Sequence, residues 1–291
     1  MSGRAWALVR VVAGVAVLGV LAWRVGTGPF VTGLRAIGSG SVAASVVLVA
    51  GTTWCSAERW RLVARRAGVI LTTREAVVAY YRSQFLNSVL PGGIVGDVHR
   101  AIAHRTVRSV VVERVLGQAV QIAVALMVVL VAWPADIAPS TPVLAMAAAA
   151  GIVALAGLVL VLTDRGLLDV ENVPAVLGLS ALAAAGHTTV FLIAARAVGV
   201  DASLGILAAL AFVVLVAAAL PTNVAGWGPR EGAAAWAFAL VGLGAATGTS
   251  VATAYGVLAM IATLPGAALL LLREKSDVDE QPQREAVGAR G

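Results

Sequence analysis

Charged residues are scarce in this chain. Asp, Glu, Lys and Arg make up 12 % of its 291 residues, hydrophobic ones make up 60 %, and mean hydropathy is +0.93. A soluble domain carries about 25 % charged and about 45–50 % apolar residues, so a water-soluble globule is excluded. Cysteine is nearly absent as well. Cys55 stands alone inside an apolar run, which excludes an intrachain disulfide and a cysteine metal centre. The three histidines, His99, His104 and His187, lack metal-ligand spacing, so neither a metal nor another cofactor is expected. The chain also lacks a Ser/His/Asp arrangement, a His-x-x-Glu-His pattern and a phosphate-gripping Gly-Lys-Ser/Thr loop. No catalytic residue and no enzyme are expected. Lysine is reduced to Lys275, so arginine carries the net charge of +6. In so apolar a chain a basic surplus reports orientation across a bilayer, and no nucleic-acid partner is expected.

What the chain has is long apolar runs. A helix crosses the hydrocarbon core with about 20 apolar residues. Runs of that order lie at 6–23, 41–57, 110–133, 143–162, 174–195 and 250–272. The first ends in Ala22-Trp23-Arg24, with no small-residue cleavage pattern, so it reads as a retained helix and not as a signal peptide. The expectation is an all-α polytopic membrane protein with about six transmembrane helices. Residues 1–275 form one membrane domain, and the polar stretch 276–291 reads as a disordered cytoplasmic tail.

Two further apolar stretches, 76–95 and 204–243, are interrupted. Arginine counts in the short loops decide how they run. The loop 58–75 holds five arginines and 97–109 holds three, whereas 134–142 holds none. Both ends of 76–95 therefore face the cytoplasm, and the stretch reads as a re-entrant hairpin turning at Pro91-Gly92-Gly93. The last helix must end inside beside Arg273 and Lys275, so 204–243 dips in from the opposite face and turns near 221–229. Helix, helix, hairpin, helix then occurs twice, in halves 1–137 and 138–275, with both termini cytoplasmic. Paired Gly/Pro-broken segments in inverted halves are a transporter architecture whose substrate site lies where the breaks meet. Leu90-Pro91-Gly92-Gly93-Ile94-Val95-Gly96 is echoed by Leu220-Pro221-Thr222-Asn223-Val224-Ala225-Gly226.

Non-helical backbone at membrane depth must be buried in protein or line a water-filled cavity, so the polar residues near the breaks are the candidate site. Gly92, Gly93 and Gly96 lead into a half-helix whose first turn carries Asp97, His99 and Arg100. Gly226, Gly228 and Pro229 lead likewise into Arg230 and Glu231. A helix N-terminus favours an anion; the alternative is that Asp97 and Glu231 are themselves the capping acids. Arg82 and Asn87 lie on the rising arm of the first hairpin. An arginine at that depth costs about 2.5 kcal/mol or more without a partner, and Asp97 is the candidate partner, with an anionic ligand as the other. Glu113 and Arg114 open the helix 110–133, and Gln118 and Gln121 continue one polar stripe that reads as ligand wall or helix–helix glue. His187 reads as a packed, hydrogen-bonded residue. The tryptophans, with Tyr80 and Tyr81, read as interfacial belts.

The segments from Gln84 to Arg100, Glu113-Arg114-Val115-Leu116-Gly117, and Leu220-Pro221 through Gly226-Trp227-Gly228-Pro229-Arg230-Glu231-Gly232 resemble the signature segments of the lysylphosphatidylglycerol-synthase transmembrane-region family. The resemblance implies a bacterial inner-membrane protein with two re-entrant hairpins around a lipid-sized cavity. In two-part relatives this module moves an aminoacylated phospholipid between leaflets, and a large cytosolic domain makes that lipid. Nothing after Arg273 is long enough to be such a domain, so the resemblance supports translocation and not synthesis. Asn223-Val224-Ala225 stands where a glycine-richer stretch is expected.

The resulting expectation is a lipid translocase. Arg82, Arg100, Arg114 and Arg230 contact an anionic or aminoacylated phospholipid headgroup or a polyprenyl-phosphate-linked sugar, while Asp97, Glu113 and Glu231 hold those arginines or relay protons. Two alternatives stand beside it. One is an intramembrane transferase with Asp97 or Glu113 as general base; the other is a non-catalytic membrane partner of a synthase or glycosyltransferase.

Overall fold

The computed structural model describes residues 19–20, 23–90, 93–132, 151–152, 155–157, 159, 170–219 and 227–288. The sequence-expected crossings 6–23 and 143–162 lie almost wholly outside them. Among the described residues every regular element is helical, and four helices are long and apolar enough to cross a bilayer. The protein is an all-α, multi-pass membrane protein.

After the short helix α1 (Gly28–Arg35), α2 runs over Ser39–Arg66. Its start is fixed by the Gly38 N–H donating to Ser41 Oγ at 3.1 Å and by the Ser41 hydroxyl donating back to the Gly38 carbonyl. The helix does not stop at Ala57 as the apolar run does. It continues nine residues into the arginine-rich stretch, because Glu58, Arg59, Trp60 and Val63 are buried against its neighbours. α3 (Thr73–Val89) starts with a reciprocal cap, Glu75 N–H to Thr72 Oγ1 and Thr72 N–H to Glu75 Oε2. It ends because Pro91 disfavours helical backbone in the residue before it: Leu90 is extended, with φ −99° and ψ 147°. α4 (Val95–Ala103) then folds back on α3 so closely that a Cβ on Gly96 would overlap the Ser83 backbone. α5 follows over Val107–Ala132.

The later helices repeat this series. A 3-10 turn at Val170–Asn172 leads into α6 (Val173–Ala197), then α7 (Leu204–Ala218), α8 (Pro229–Leu240) and α9 (Ala245–Gly288). Ser203 caps α7 through the Ile206 N–H, and Pro229 opens α8, where its missing N–H costs nothing. At 1.5 Å per residue α3 and α7 are roughly 22–26 Å long and α4 and α8 roughly 13–18 Å, less than the roughly 30 Å hydrocarbon core. α9 continues as helix to Gly288, through residues that the sequence reading assigns to a disordered tail.

Helix contacts follow one rule. α3 packs on α9 as α5 packs on α7; α2 meets α9 as α6 meets α5; α4 meets α5 as α8 meets α9; and α2 lies along α6. Exchanging α2–α5 with α6–α9 therefore reproduces the packing. The main core sits in the second series, where Phe191, Leu207, Leu210, Phe238, Val251 and Leu258 are fully buried together. A smaller core of Ala57, Trp60, Tyr80, Ala101 and Val110 joins α2 to α5.

Candidate functional site

Between the two series lies a cavity of about 350 Å³. α2, α3, α5, α6 and α9 wall it, and both chain breaks open on it, through Gly93 and Asp97 on one side and Ala218, Ala219 and Arg230 on the other. Gly93 has φ +61°, a left-handed conformation that glycine adopts without strain.

One wall is a continuous ion network. Glu113 is completely buried on α5 and accepts from Arg59 Nε at 2.9 Å, from Arg59 Nη2, from the Tyr80 hydroxyl at 3.0 Å and from Arg100 Nη2 at 3.1 Å. Arg59 Nη1 donates onward to Ser180 on α6 at 2.9 Å. Arg100 reaches back to Asp97 Oδ1 at 2.9 Å, and Arg114 pairs with Asp97 Oδ2. Ser83 and the Asn87 amide complete Asp97, at 3.1 and 2.8 Å. A carboxylate offers about four lone-pair sites, so Asp97 is saturated. Five charged side chains thus tie α2, α3, α4 and α5 together, with α6 attached through Ser180. Burying such charges is tolerable only because each is paired.

The opposite wall is built differently to a similar end. Arg230 directs Nε and Nη2 at Glu231 Oε1, at 2.8 and 2.6 Å, and the Gly228 N–H donates to Glu231 Oε2 at 2.7 Å. Gly228 has φ +111°. The Arg230 guanidinium lies 5.1 Å from the Trp227 ring and 5.7 Å from Tyr255, as Arg100 lies 4.5 Å from Trp60 and 4.3 Å from Tyr80. Each wall also has a glycine seat for an arginine. A Cβ on Gly117 would fall 2.7 Å from the Arg59 guanidinium, and one on Gly256 would overlap that of Arg230.

Several expected site residues therefore meet here: Asn87, Gly93, Asp97, Arg114 and Arg230 line the cavity, and Glu113 and Glu231 hold its arginines. Gln118, Gln121 and His187 line it too, and His187 Nδ1 is 3.3 Å from the Tyr255 hydroxyl. Gly96 and Gly228 serve the backbone, with the Gly96 N–H donating to Asn87 Oδ1 at 2.7 Å. Gly92, Asn223 and Gly226 lie outside the described residues.

Three expectations change. Arg82 donates to the Leu269 carbonyl on α9, from Nε at 3.2 Å and Nη2 at 2.7 Å, and joins two helices there. Arg100 is buried between Trp60 and Tyr80 as an internal brace. One opening amide of each half-helix meets a protein group, Gly96 N–H donating to Asn87 and Gly228 N–H to Glu231, the latter as a capping acid. Asp97 and Glu231 behave as structural partners, and of the arginines they hold Arg114 and Arg230 line the cavity. Sequence reasoning missed Arg59, which it counted as a loop charge; Thr52, Ser56 and Arg59, buried at spacings of four and three residues on α2, are the pattern that marks it. It also missed Trp60 and Tyr80, buried against Arg100 and not in an interfacial belt.

The sequence model of the lysylphosphatidylglycerol synthase TM region matches residues 7–169, more than half of the chain. No curated protein and no solved structure matches the chain.

Proposed function

We propose that this chain, which belongs to the lysylphosphatidylglycerol synthase TM region family, is a translocase that passes a charged lipid headgroup between leaflets while the acyl chains stay in the bilayer. A membrane protein of a lipid-handling family with arginines in a polar cavity between two broken segments has the parts this task needs. The observation that carries the reading is Arg114. It stands about two turns into α5, its side chain is 40 % exposed and lines the cavity, and one N–H goes to Asp97, so its remaining donors suit a phosphate in planar, bidentate fashion. Arg230 faces it from the other wall.

The two breaks are read as re-entrant hairpins entering from opposite faces, in halves related by inverted repetition. The short α3, α4, α7 and α8 and the exchange-symmetric packing support this. Arg59 and Arg100 belong to the ion network and leave the sidedness count. Arg61, Arg65, Arg66 and Arg74 still precede the first hairpin, and Arg105 and Arg108 follow it, so both its ends stay cytoplasmic. The termini are then cytoplasmic and the membrane is the bacterial inner membrane. A transferase using Asp97 or Glu113 as base is disfavoured, because the oxygens of both carboxylates already accept from four protein donors each and a general base must reach a substrate proton.

Leaflet-resolved movement of labelled phospholipid in reconstituted vesicles tests the proposal. Arg114→Ala and Arg230→Ala each slow movement about tenfold, the scale of losing a charge-assisted phosphate contact. Arg82→Ala, which removes a bond to the Leu269 carbonyl, leaves the rate close to the parent's. If both cavity arginines are dispensable, the site assignment fails.

A further inference from the structure

Resting on that reading, we infer that the cavity selects a phosphate headgroup whose other substituent is a neutral polyol, and excludes one bearing an ammonium group. The charged residues that line it among the described residues are Arg59, Arg114, Arg230 and Asp97. Among three guanidinium groups an ammonium group needs a counter-charge or an open aromatic face to offset repulsion, and among the described lining residues neither is open. Asp97 accepts from Ser83, Asn87, Arg100 and Arg114. Glu113 accepts from Arg59, Tyr80 and Arg100, and Glu231 from Arg230 and the Gly228 N–H. The aromatic faces that border the cavity are engaged likewise, Tyr80 by Arg100 and Tyr255 by Arg230.

The neutral polar groups point the same way. Gln118 and Gln121 stand one and two helical turns beyond Arg114 on α5, both line the cavity, and their amides have no hydrogen-bond partner among the described residues. Each offers two donors and an acceptor. That set suits hydroxyls set a few ångströms from a phosphate on Arg114, as in a glycerol or sugar substituent. A cationic aminoacyl group in the same place would meet the Arg59 and Arg114 guanidinium groups, with no unpaired carboxylate among the described lining residues to offset them. The headgroup specificity of this chain thus departs from the aminoacylated lipid that the two-part relatives imply.

The test uses the full chain in vesicles with trace acyl-labelled phosphatidylglycerol or lysyl-phosphatidylglycerol. Phosphatidylglycerol crosses about tenfold faster than its lysyl derivative, and Gln121→Glu, which places an unpaired carboxylate in the cavity, removes most of that gap. Equal or faster movement of the lysyl lipid overturns the inference and leaves the translocase reading standing. If neither lipid outpaces protein-free vesicles, translocation fails and binding decides the inference. Enrichment of phosphatidylglycerol over the lysyl lipid on the nanodisc-embedded protein supports it, and equal retention overturns it. Competition by excess glycerol 3-phosphate supports the phosphate–polyol chemistry and assigns its source to a soluble ester; failure to compete, with enrichment, assigns it to the lipid.

Discussion

Glu113→Gln lowers the unfolding free energy of the protein in detergent micelles by about 3–5 kcal/mol, the cost of breaking a buried ion pair from one side. The carboxylate accepts from Arg59, Arg100 and Tyr80, three side chains on α2, α4 and α3. The glutamine keeps the shape and loses the charge, leaving two buried guanidinium groups without their shared counter-ion. A buried carboxylate outside that network shows the contrast. Glu58 pairs with the part-exposed Arg61 three residues along α2, so Glu58→Gln costs about 1 kcal/mol or less. Equilibrium unfolding of both variants distinguishes them; equal small losses would show that the network around Glu113 carries no special share of stability.

Gly256→Ala should leave the protein folded and slow lipid movement about tenfold or more, since small misplacements of a binding group cost that much. In an open helix the change adds up to about 1 kcal/mol of stability. Here the new methyl group takes the space of the Arg230 guanidinium, which as the end of a flexible side chain can swing away from Glu231 and the cavity. Gly117→Ala acts likewise on Arg59. Gly178 on α6 has no atom within 4 Å of where its Cβ would be, so Gly178→Ala is the control and moves lipid at the parent rate. Parent-like movement in Gly256→Ala would mean that the position of Arg230 does not matter to transport.

The membrane class, the crossings at α2, α5, α6 and α9 and the helix break before Gly93 are legible in the sequence, because apolar length and Pro/Gly chemistry are local signals. Asp97, Arg114 and Arg230 are legible for a related reason: polar side chains stand out where the surroundings are lipid. The partnerships are not. Arg82 and Asp97 look paired on one hairpin, yet Arg82 bonds to Leu269, 187 residues away, and Asp97 pairs with Arg114 from the next helix. Arg59 looks like a loop charge because apolar run length ends α2 at Ala57, whereas tertiary burial carries the helix on to Arg66. Trp60 and Tyr80 look interfacial because aromatics often are; only the fold brings Arg100 between them.

Labelling of single cysteines from each face, in full chains carrying Cys55→Ser, tests most directly whether the two broken segments enter from opposite sides. Suitable sites are Ile70→Cys and Ile102→Cys around α3–α4, and Asp201→Cys and Ala246→Cys around α7–α8, all exposed. Residues 70 and 102 should react from one face, and 201 and 246 only from the other. Reaction of 70 and 102 from opposite faces would make α3–α4 a crossing and remove the cavity between two hairpins on which the proposed transport depends.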